Sequence, residues 1–264
     1  MEQQTRSPDP LGDRMKGYER TFRMTLPAKS YSVLRLDGRH FSSWTRGLNR
    51  PYDLTMVQAM SDATLALAQD VHGAVLGYTQ SDEITIVFTD LRSEHTQPWF
   101  GGQVQKIVSI AASLVTGVFG RHFPDRPLAQ FDARVFTVPN PIEVANAVYW
   151  RQADCERNAV SMIASHFFSA AQLHGKNVAQ RRQMLADAGV DLDSFDSRFM
   201  HGQLISKQTT SAAVTYTHKR TGENVTLPAV QRSEWRSDVA PELHAREGSV
   251  LYDLLRDATG LQAA

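Results

Sequence analysis

Acidic residues stand at the ends of two apolar stretches that have the pattern of β-strands. Asp37 directly follows the stretch 32–36, and Asp82 and Glu83 directly precede the stretch 84–88. Carboxylates at such positions need a cationic partner, and two adjacent strands would bring them to one edge of a sheet. That edge would offer a group of hard oxygen ligands, which suits Mg²⁺ holding a nucleoside triphosphate. The sequence therefore predicts a metal-dependent phosphoryl-transfer site at this edge.

The periodicity of the apolar residues indicates which elements position this edge. It predicts an α+β fold with a polymerase palm-like antiparallel sheet, flanking helices and a C-terminal extension made of a helix and a hairpin. A phosphate-loop fold is disfavoured because neither G-x-x-x-x-G-K-[ST] nor G-x-G-x-x-G occurs. Predicted strands cover 31–36, a pair around 82–83, 131–138 and 202–208; predicted helices cover 53–72, 103–119, 142–168 and 178–188; a helix begins at 13, a loop or short helix covers 37–49, and a hairpin covers 212–225.

Length and composition fit one large intracellular domain. The expected organisation is a disordered segment at 1–12, a catalytic domain at 13–170 and an extension at 171–264 that packs on the same domain. Acidic and basic residues balance at 28 each, so any contact with RNA must come from local patches. The single cysteine permits a reducing compartment, and no apolar run approaches the roughly 20 residues of a membrane span. These features predict a cytoplasmic protein with no membrane contact.

Four short motifs, taken in order, resemble the tRNA-His guanylyltransferase family. They are LDGR-x-F at 36–41, QSDE at 80–83, FD-x-RV at 131–135 and WRQ-x-D at 150–154, and the resemblance covers roughly residues 13–210. It implies a palm domain similar to that of polymerases but working in the reverse direction, adding nucleotides to the 5′ end of tRNA. It also implies a homotetramer that uses ATP and GTP or other nucleoside triphosphates.

The resemblance implies that Asp37 and Asp82 bind two Mg²⁺ ions, with the carbonyl of Gly38 as a further ligand. Two metal ions stabilise both the attacking and the leaving oxygen of a phosphoryl transfer. Glu83 is a third catalytic candidate, either as a minor metal ligand or only as a hydrogen-bond acceptor. The expected catalytic set is therefore Asp37, Asp82 and Glu83.

Some polar and aromatic residues of the motif regions have two possible roles. Asp132 is compatible with catalysis and equally with a buried salt bridge to Arg134 or Arg151. Cys155 is expected to be a packed helix residue rather than a reactive thiol. Four aromatic side chains could stack on bases, but their apolar contexts predict core packing: Trp44, Trp99, Tyr149 and Trp150.

The resemblance also suggests which residues bind the nucleotides. Arg50 stands where the family usually has a lysine, and both types bind phosphate, although with different geometry. Gln103 stands where the family has an arginine, which puts one triphosphate contact in doubt. Solvation is the alternative role for Arg50 and Lys106. The expected nucleotide-binding residues are Arg39, His40, Phe41, Arg50, Ser81, Lys106 and Lys207.

The clearest departure from the family follows the last motif, at Glu156. Eukaryotic members have a histidine there that helps to recognise the histidine tRNA. Its absence resembles the branch of guanylyltransferase-like proteins that rebuild truncated 5′ ends by Watson–Crick pairing. The residues expected to contact RNA are Arg151, Asn158, Arg181, Arg182, Lys219 and Arg220. An ordinary solvated surface is the alternative for the basic pairs at 181–182 and 219–220.

These features predict a tRNA nucleotidyltransferase that works in the 3′–5′ direction, with template-dependent 5′-end repair as the expected mode. ATP would activate a 5′-monophosphate, and GTP or another nucleotide would then be added. The alternatives are non-templated addition of G to histidine tRNA, a nucleotidyl cyclase-like signalling enzyme and a non-catalytic RNA-binding protein. The cyclase-type G-G-[DE]-E-F turn is missing, and acids kept at strand ends disfavour an idle site.

Overall fold

A computed structural model describes residues 9–246 and 248–259 as one antiparallel sheet with helices on both faces. The strands are β1 (Tyr31–Gly38), β2 (Ala74–Gln80), β3 (Glu83–Thr89), β4 (Phe131–Val138), β5 (Gln203–Thr217) and β6 (Asn224–Val239). The helices are α1 (Pro10–Thr21), α2 (Phe41–Trp44), α3 (Leu54–Asp70), α4 (Val104–Gly120), α5 (Pro141–Phe167), α6 (Ala170–Leu173), α7 (Val178–Asp187), α8 (Ser197–His201) and α9 (Val250–Thr259). The predicted fold class is confirmed.

The order of the strands, β4-β1-β3-β2-β5-β6, brings the acidic motifs together. β1 pairs antiparallel with both β3 and β4, so its last residues lie beside the first residues of those two strands. Asp37 is paired with Glu83 on one side and with Asp132 on the other. We call the end of the sheet that is defined by Asp37, Asp82 and Glu83 the acidic edge.

Two apolar layers hold the sheet, because alternate residues of a strand face opposite sides. Leu34 and Leu36 are fully buried against α3 and α4. Tyr31, on the opposite face of the same strand, packs in a second cluster with α5 and α9. Removal of apolar surface from water stabilises both layers, so the acidic edge is supported from both faces of the sheet.

Helix α5 extends past the acidic edge. It contains 27 residues, which corresponds to about 40 Å of helix. The side chain of Asn140 caps its N-terminus by accepting a hydrogen bond from the Glu143 N–H at 2.9 Å. Arg151, near the middle of the helix, reaches the start of β3, so the residues that follow it form a wall beyond the sheet. Neither α5 nor any other helix in the described part of the chain is long and apolar enough to cross a membrane.

The two ends of the chain differ from the sequence-based expectations. Helix α1 begins at Pro10, where the Asp9 carboxylate caps it, so residues 10–12 are helical rather than disordered; the rest of that predicted segment, 1–8, lies outside the described residues. The predicted strand at 202–208 and hairpin at 212–225 are one long pair, β5 and β6. Residues 203–206 of β5 pair with β2 and so extend the main sheet.

Candidate active site

The acidic edge is assembled by short-range backbone contacts. β2 and β3 are joined by the two-residue turn Ser81-Asp82, and Ser81 adopts a φ of 49°, in the left-handed region that tight hairpin turns require. The backbone N–H of Gly38 donates to the Asp82 carbonyl at 3.1 Å. This bond holds the end of β1 against the turn, and therefore holds Asp37 and Asp82 at one place.

Gly38 is required by packing as well as by access. A Cβ atom built at this position would lie 2.2 Å from the ring of Phe41. Phe41 is buried and packs with Trp44, Phe119 and Phe131 in an aromatic cluster. The Phe41 ring thus packs mainly in the core beneath the acidic edge, and Phe41 also lines the cavity that opens beside Asp82.

Asp37 and Asp82 differ from the other acids of this edge because neither has a directly bonded cation in the described part of the chain. Neither carboxylate forms an ion pair with any residue that the structure describes. Burial raises the pKa of Asp82 to about 6, although a hydrogen bond from the Ser81 hydroxyl at 3.0 Å opposes the shift. Burial, followed by the charge of Glu83, also raises the pKa of Asp37. Burial thus disfavours the charged form of both carboxylates, and a cation beside them would favour that form.

Glu83 differs from these two carboxylates, because both of its oxygens are occupied. Its Oε1 accepts from Arg35 at 2.8 Å and its Oε2 from Arg151 at 2.7 Å, and Gln80 donates to Oε2 at 3.1 Å. This ion pair joins β1 and β3 to α5. This geometry favours the hydrogen-bond-acceptor role of Glu83 over that of a metal ligand.

Arg151 is buried, and its predicted contact with RNA does not agree with the structure. Its side chain is only 6% exposed, and it also contacts the Asp154 carboxylate at 3.3 Å. A cation held by two carboxylates inside the protein has no face for a phosphate of RNA. Its role is to bind α5 to the acidic edge.

Asp132 is paired with Arg134, which was one of its two predicted roles. The Nη2 to Oδ1 distance is 3.0 Å, but both side chains are more than half exposed, so the pair is a surface one rather than the expected buried one. Cys155 is buried, as predicted, and its Sγ lies 3.6 Å from the carbonyls of Phe199 and Met200. Burial raises the pKa of its thiol to about 12, which agrees with an unreactive packed side chain.

A cavity of about 380 Å³ opens beside Asp82, a size within the usual range for small-molecule sites. Its walls are α2, the loop 48–53, the turn at Ser81 and Met162 of α5. The side chain of Asp53 fixes the loop by capping α3. It accepts hydrogen bonds from the backbone N–H groups of Thr55 and Met56 at 2.9 and 3.2 Å. Three predicted nucleotide-binding residues, Phe41, Arg50 and Ser81, therefore line one cavity together with Asp82.

Of the other predicted nucleotide-binding residues, some lie next to this cavity and some do not. Arg39 and His40 are exposed between the end of β1 and α2, and Arg39 donates to the Gln130 side chain at 2.9 Å. Lys106 lies in the first turn of α4, whereas Phe119 at the other end of that helix packs at the acidic edge. Thirteen residues of helix separate them, about 20 Å. Within one chain, Lys106 is thus remote from the site.

Lys207 is also away from the acidic edge. It is four residues along β5 from Gln203, which is paired with Thr79 near the edge. Its ammonium group lies 5.2 Å from the centre of the Trp235 ring on the neighbouring strand. The structure does not bring this lysine to Asp37 and Asp82.

The predicted RNA-binding residues fall into three places. Asn158 lines a second cavity of about 640 Å³ that continues from Arg50 and Ser81 along α5, so it lies closer to the nucleotide cavity than expected. Arg181 and Arg182 are on α7, where Arg181 donates to the Lys176 carbonyl. Lys219 and Arg220 lie in the turn that joins β5 to β6. That turn is the tip of a ribbon that projects beyond the main sheet by about 36 Å.

Sequence analysis missed Arg35 as a part of the site. An arginine inside the apolar stretch 32–36 is a signal in itself, because a buried guanidinium needs a carboxylate partner. That partner is Glu83, one residue beyond the recognised Asp82. The apparent excess of acids at the edge is thus partly neutralised.

The side chains at the acidic edge can be compared with the ligands that Mg²⁺ requires. Among the described residues, no three side chains of His, Cys, Asp and Glu converge as a complete metal site. Mg²⁺ does not need such a cage, since proteins usually hold it through one or two carboxylates together with substrate phosphates. The unpaired Asp37 and Asp82, beside a cavity that carries Arg50, fit that kind of site.

Comparisons with known proteins agree with this geometry. The family model described as "Thg1: tRNAHis guanylyltransferase" matches residues 12–139. A bacterial tRNA(HIS) guanylyltransferase (Thg1)-like protein solved in complex with ATP is 33% identical, with a TM-score of 0.74 over 88% of this chain and 93% of that chain. The structure of a bacterial protein of the same description in complex with GTP is 32% identical, with a TM-score of 0.68 over 89% of this chain and 93% of that chain.

A curated enzyme is also similar over part of the chain. The tRNA(His) guanylyltransferase of Schizosaccharomyces pombe is 33% identical over 152 residues. The aligned region covers 54% of this chain and 56% of that enzyme. The similarity to the curated enzyme is therefore partial, whereas the similarity to the bacterial structures extends over nearly the whole chain.

Proposed function

The chain belongs to the tRNA(His) guanylyltransferase family, a family of nucleotidyltransferases, and from this premise we propose that it adds nucleotides to the 5′ end of tRNA in the 3′–5′ direction. The observation that carries the proposal is the pair of carboxylates, Asp37 and Asp82, left without a cationic partner in the described residues beside a cavity of nucleotide size. ATP and GTP, bound by the similar bacterial proteins, are the proposed substrates.

Asp37, Asp82 and the Gly38 carbonyl would hold two Mg²⁺ ions. When bound, these ions would supply charge stabilisation for the reacting phosphate and would activate the attacking hydroxyl. The protein's own contribution is position: the Gly38–Asp82 backbone bond keeps the two carboxylates together. Arg50 and Ser81 lie where they can bind the phosphates of a nucleotide in the adjoining cavity.

Two phosphoryl transfers account for the addition. First, an oxygen of the tRNA 5′-monophosphate attacks the α-phosphate of ATP, and pyrophosphate leaves as AMP becomes joined to the 5′ end. Next, the 3′-hydroxyl of the incoming nucleotide attacks the activated 5′-phosphate, losing its proton, and AMP leaves. A tRNA with a 5′-triphosphate would omit the first transfer and release pyrophosphate in the second.

We propose the templated mode, in which the opposite strand of the acceptor stem selects the nucleotide. Support comes from Glu156, the residue that replaces a histidine of the eukaryotic enzymes. Its Oε1 lies 3.2 Å from Nδ1 of His201, at the surface of α5 next to α8. A carboxylate at this position repels phosphate and gives no cationic contact to an anticodon, which favours recognition through the acceptor stem.

The test is a 5′-extension assay with purified full-length protein, Mg²⁺ and each nucleoside triphosphate separately. One substrate lacks its first nucleotide, and the other is an intact histidine tRNA. We expect addition only of the nucleotide that pairs with the opposite strand. With α-labelled ATP and a 5′-monophosphate substrate, an AMP-linked tRNA should accumulate when the second nucleotide is omitted.

Three other results have distinct meanings. Addition of G to the intact tRNA regardless of pairing would assign the non-templated mode. No extension of either tRNA, with nucleotide turnover still present, would contradict the tRNA function and favour a cyclase-like reaction. Binding of tRNA with neither extension nor turnover would indicate a non-catalytic RNA-binding protein.

A further inference from the structure

Trp150 is an exposed indole next to the acidic edge, although its apolar context predicted core packing. Its side chain is 54% exposed, whereas Trp99 is 6% exposed and Trp44 packs in the aromatic cluster. The neighbouring Tyr149 is also exposed, at 45%. Exposing a large aromatic surface to water costs free energy. Contact of Trp150 with a ligand or partner would recover that free energy.

One face of the indole is held in place by the ion-pair network of the site. The guanidinium carbon of Arg151 lies 3.7 Å from the ring centre, and that of Arg35 lies 5.6 Å from it. Both arginines are bonded to Glu83. Their Nε atoms are buried with no acceptor among the described residues, so the π face of the indole is part of their solvation. The ring is therefore pre-organised.

The indole lies near the acidic edge but outside the lining of the nucleotide cavity. Arg35 is two residues before Asp37 on the same face of β1, and Glu83 is the cross-strand partner of Asp37, a pairing that places Cβ atoms about 5 Å apart. Trp150 thus adjoins the acidic edge through one layer of side chains. The cavity beside Asp82 is walled by the loop 48–53 and by Met162, and Trp150 does not line it.

We propose that Trp150 is the stacking platform for the terminal nucleobase at the 5′ end of the RNA substrate. The inference rests on the proposed function, since it deepens the same site by naming what positions the RNA end. For the two substrates to react, the RNA 5′-phosphate must reach Asp37 and Asp82 without entering the space that the nucleotide fills. With the nucleotide in the cavity, the pre-organised indole offers the terminal base a flat apolar surface close to the acidic edge.

The residues that follow Trp150 on α5 agree with a nucleic-acid strand. Arg157 lies two turns further along the same face, seven residues on, and is 49% exposed. It pairs with Asp154 at 2.7 Å, and such an exposed pair is weak enough to be exchanged for a phosphate. The indole would thus stack the base, and Arg157 would contact the backbone of the RNA. Trp150 is a positioning residue, because the chemistry belongs to the carboxylates.

The test uses the full-length protein and an acceptor-stem RNA with 2-aminopurine as its 5′ nucleotide, whose fluorescence falls when the base stacks. We expect quenching with the wild type, most of it retained in Trp150→Phe and lost in Trp150→Ala. The KM for tRNA should rise on the order of ten-fold or more in Trp150→Ala, with the KM for the nucleotide unchanged. Tyr149→Ala is the matched control, being adjacent, aromatic and similarly exposed, and should change neither.

Several outcomes would overturn the proposal while leaving the proposed function intact. These are 5′ extension by a wild type that shows no quenching, equal quenching in Trp150→Ala, and an equal effect in Tyr149→Ala. A raised KM for the nucleotide with an unchanged KM for tRNA would assign the indole to the nucleotide instead. A changed oligomer mass in Trp150→Ala with unchanged tRNA binding would assign it to a subunit contact. Absence of 5′ extension in the wild type, by contrast, would contradict the proposed function itself.

Discussion

Asp82 and Glu83 are neighbours in the sequence and lie at the same edge of the sheet, yet they have opposite surroundings. Glu83 meets two arginines, at 2.7 and 2.8 Å. Asp82 receives one hydroxyl hydrogen bond, and no cation of the described residues pairs with it. The two positions differ because the strand alternation and the turn send one side chain towards α5 and leave the other at the cavity.

Within one motif, Glu83 therefore has a structural role, whereas Asp82 has the surroundings of a metal ligand. The paired Glu83 holds β1, β3 and α5 together and carries no free negative charge for a ligand. Asp82 and Asp37 form no ion pair among the described residues, so their oxygens are available to a bound cation. The availability of a carboxylate, rather than its presence in the motif, thus decides which acid can bind a metal.

Asp82→Asn should have the largest effect on activity, and it should act on the chemistry rather than on tRNA binding. We expect a loss of 5′-extension activity of about 10³-fold or more. Without the Asp82 carboxylate, a metal ion would be bound less well and would no longer stabilise the charge that develops on the reacting phosphate. Binding of tRNA and folding should be retained. The rate of extension and the affinity for tRNA are the measurements, with Asp132→Asn as the control, since that aspartate is exposed and paired with Arg134. Full activity in Asp82→Asn would remove the metal assignment.

Glu83→Gln should act mainly on stability. The substitution leaves Arg35 without its carboxylate and Arg151 with Asp154 alone, and loss of one partner of a largely buried pair costs about 3 kcal/mol. The free energy of unfolding from denaturant titration is the measurement. Glu234→Gln, which breaks the exposed pair with Arg236, should change it by about 0.5 kcal/mol or less. Loss of activity in Glu83→Gln without loss of stability would make this glutamate a catalytic residue after all.

The pH dependence of stability should distinguish Asp82 as the buried, unpaired acid. Its pKa is raised to about 6 from 3.8, so the folded chain holds this proton more tightly than the unfolded chain does. The contribution to stability is therefore complete below pH 3.8 and lost as the pH rises through about 6. Without divalent cations, the unfolding free energy of the wild type should fall relative to Asp82→Asn by up to about 3 kcal/mol across this window.

Added Mg²⁺ supplies the control for that titration. At neutral pH it should restore the stability of the wild type and have little effect on Asp82→Asn, because ligand binding to the folded state raises its stability. A difference between the two proteins that stays constant with pH would contradict the raised pKa.

Gly38→Ala should have the smallest of these effects on stability. The added methyl group would meet the Phe41 ring at 2.2 Å, and such overpacking costs about 2 kcal/mol. Gly17→Ala is the matched control, because nothing lies within 4 Å of a Cβ atom at that position of α1; it should be neutral or slightly stabilising. Thermal unfolding of the two variants is the measurement. Equal stability would show that the ring of Phe41 can move away without cost.

Much of the fold followed from local patterns. Periodicity predicted one strand and three helices, at 131–138, 53–72, 103–119 and 178–188. In each of them the less exposed residues recur at the spacing expected for a strand or a helix. The long pair β5 and β6 was divided into a strand and a hairpin, because most of its residues are exposed on both faces and show no buried period. The start of α1 was placed too late because its cap, Asp9, lies next to prolines.

The candidate site was predicted unevenly. Residue type and spacing pointed to Asp37, Gly38 and Asp82, which the structure brings together. They also selected Arg151, which is buried, and Lys106 and Lys207, which lie away from the acidic edge within one chain. A basic side chain has the same appearance in a sequence whether it faces phosphate, water or a buried carboxylate.

The sequence by itself determined the α+β class, the carboxylates at the strand ends and the family, because these depend on residue type and on short-range spacing. Only the tertiary structure decided that Glu83 is neutralised by Arg35 and Arg151, and that Trp150 faces water. The physical reason is that charge neutralisation and exposure depend on contacts between residues such as Glu83 and Arg151, which are 68 positions apart in the chain.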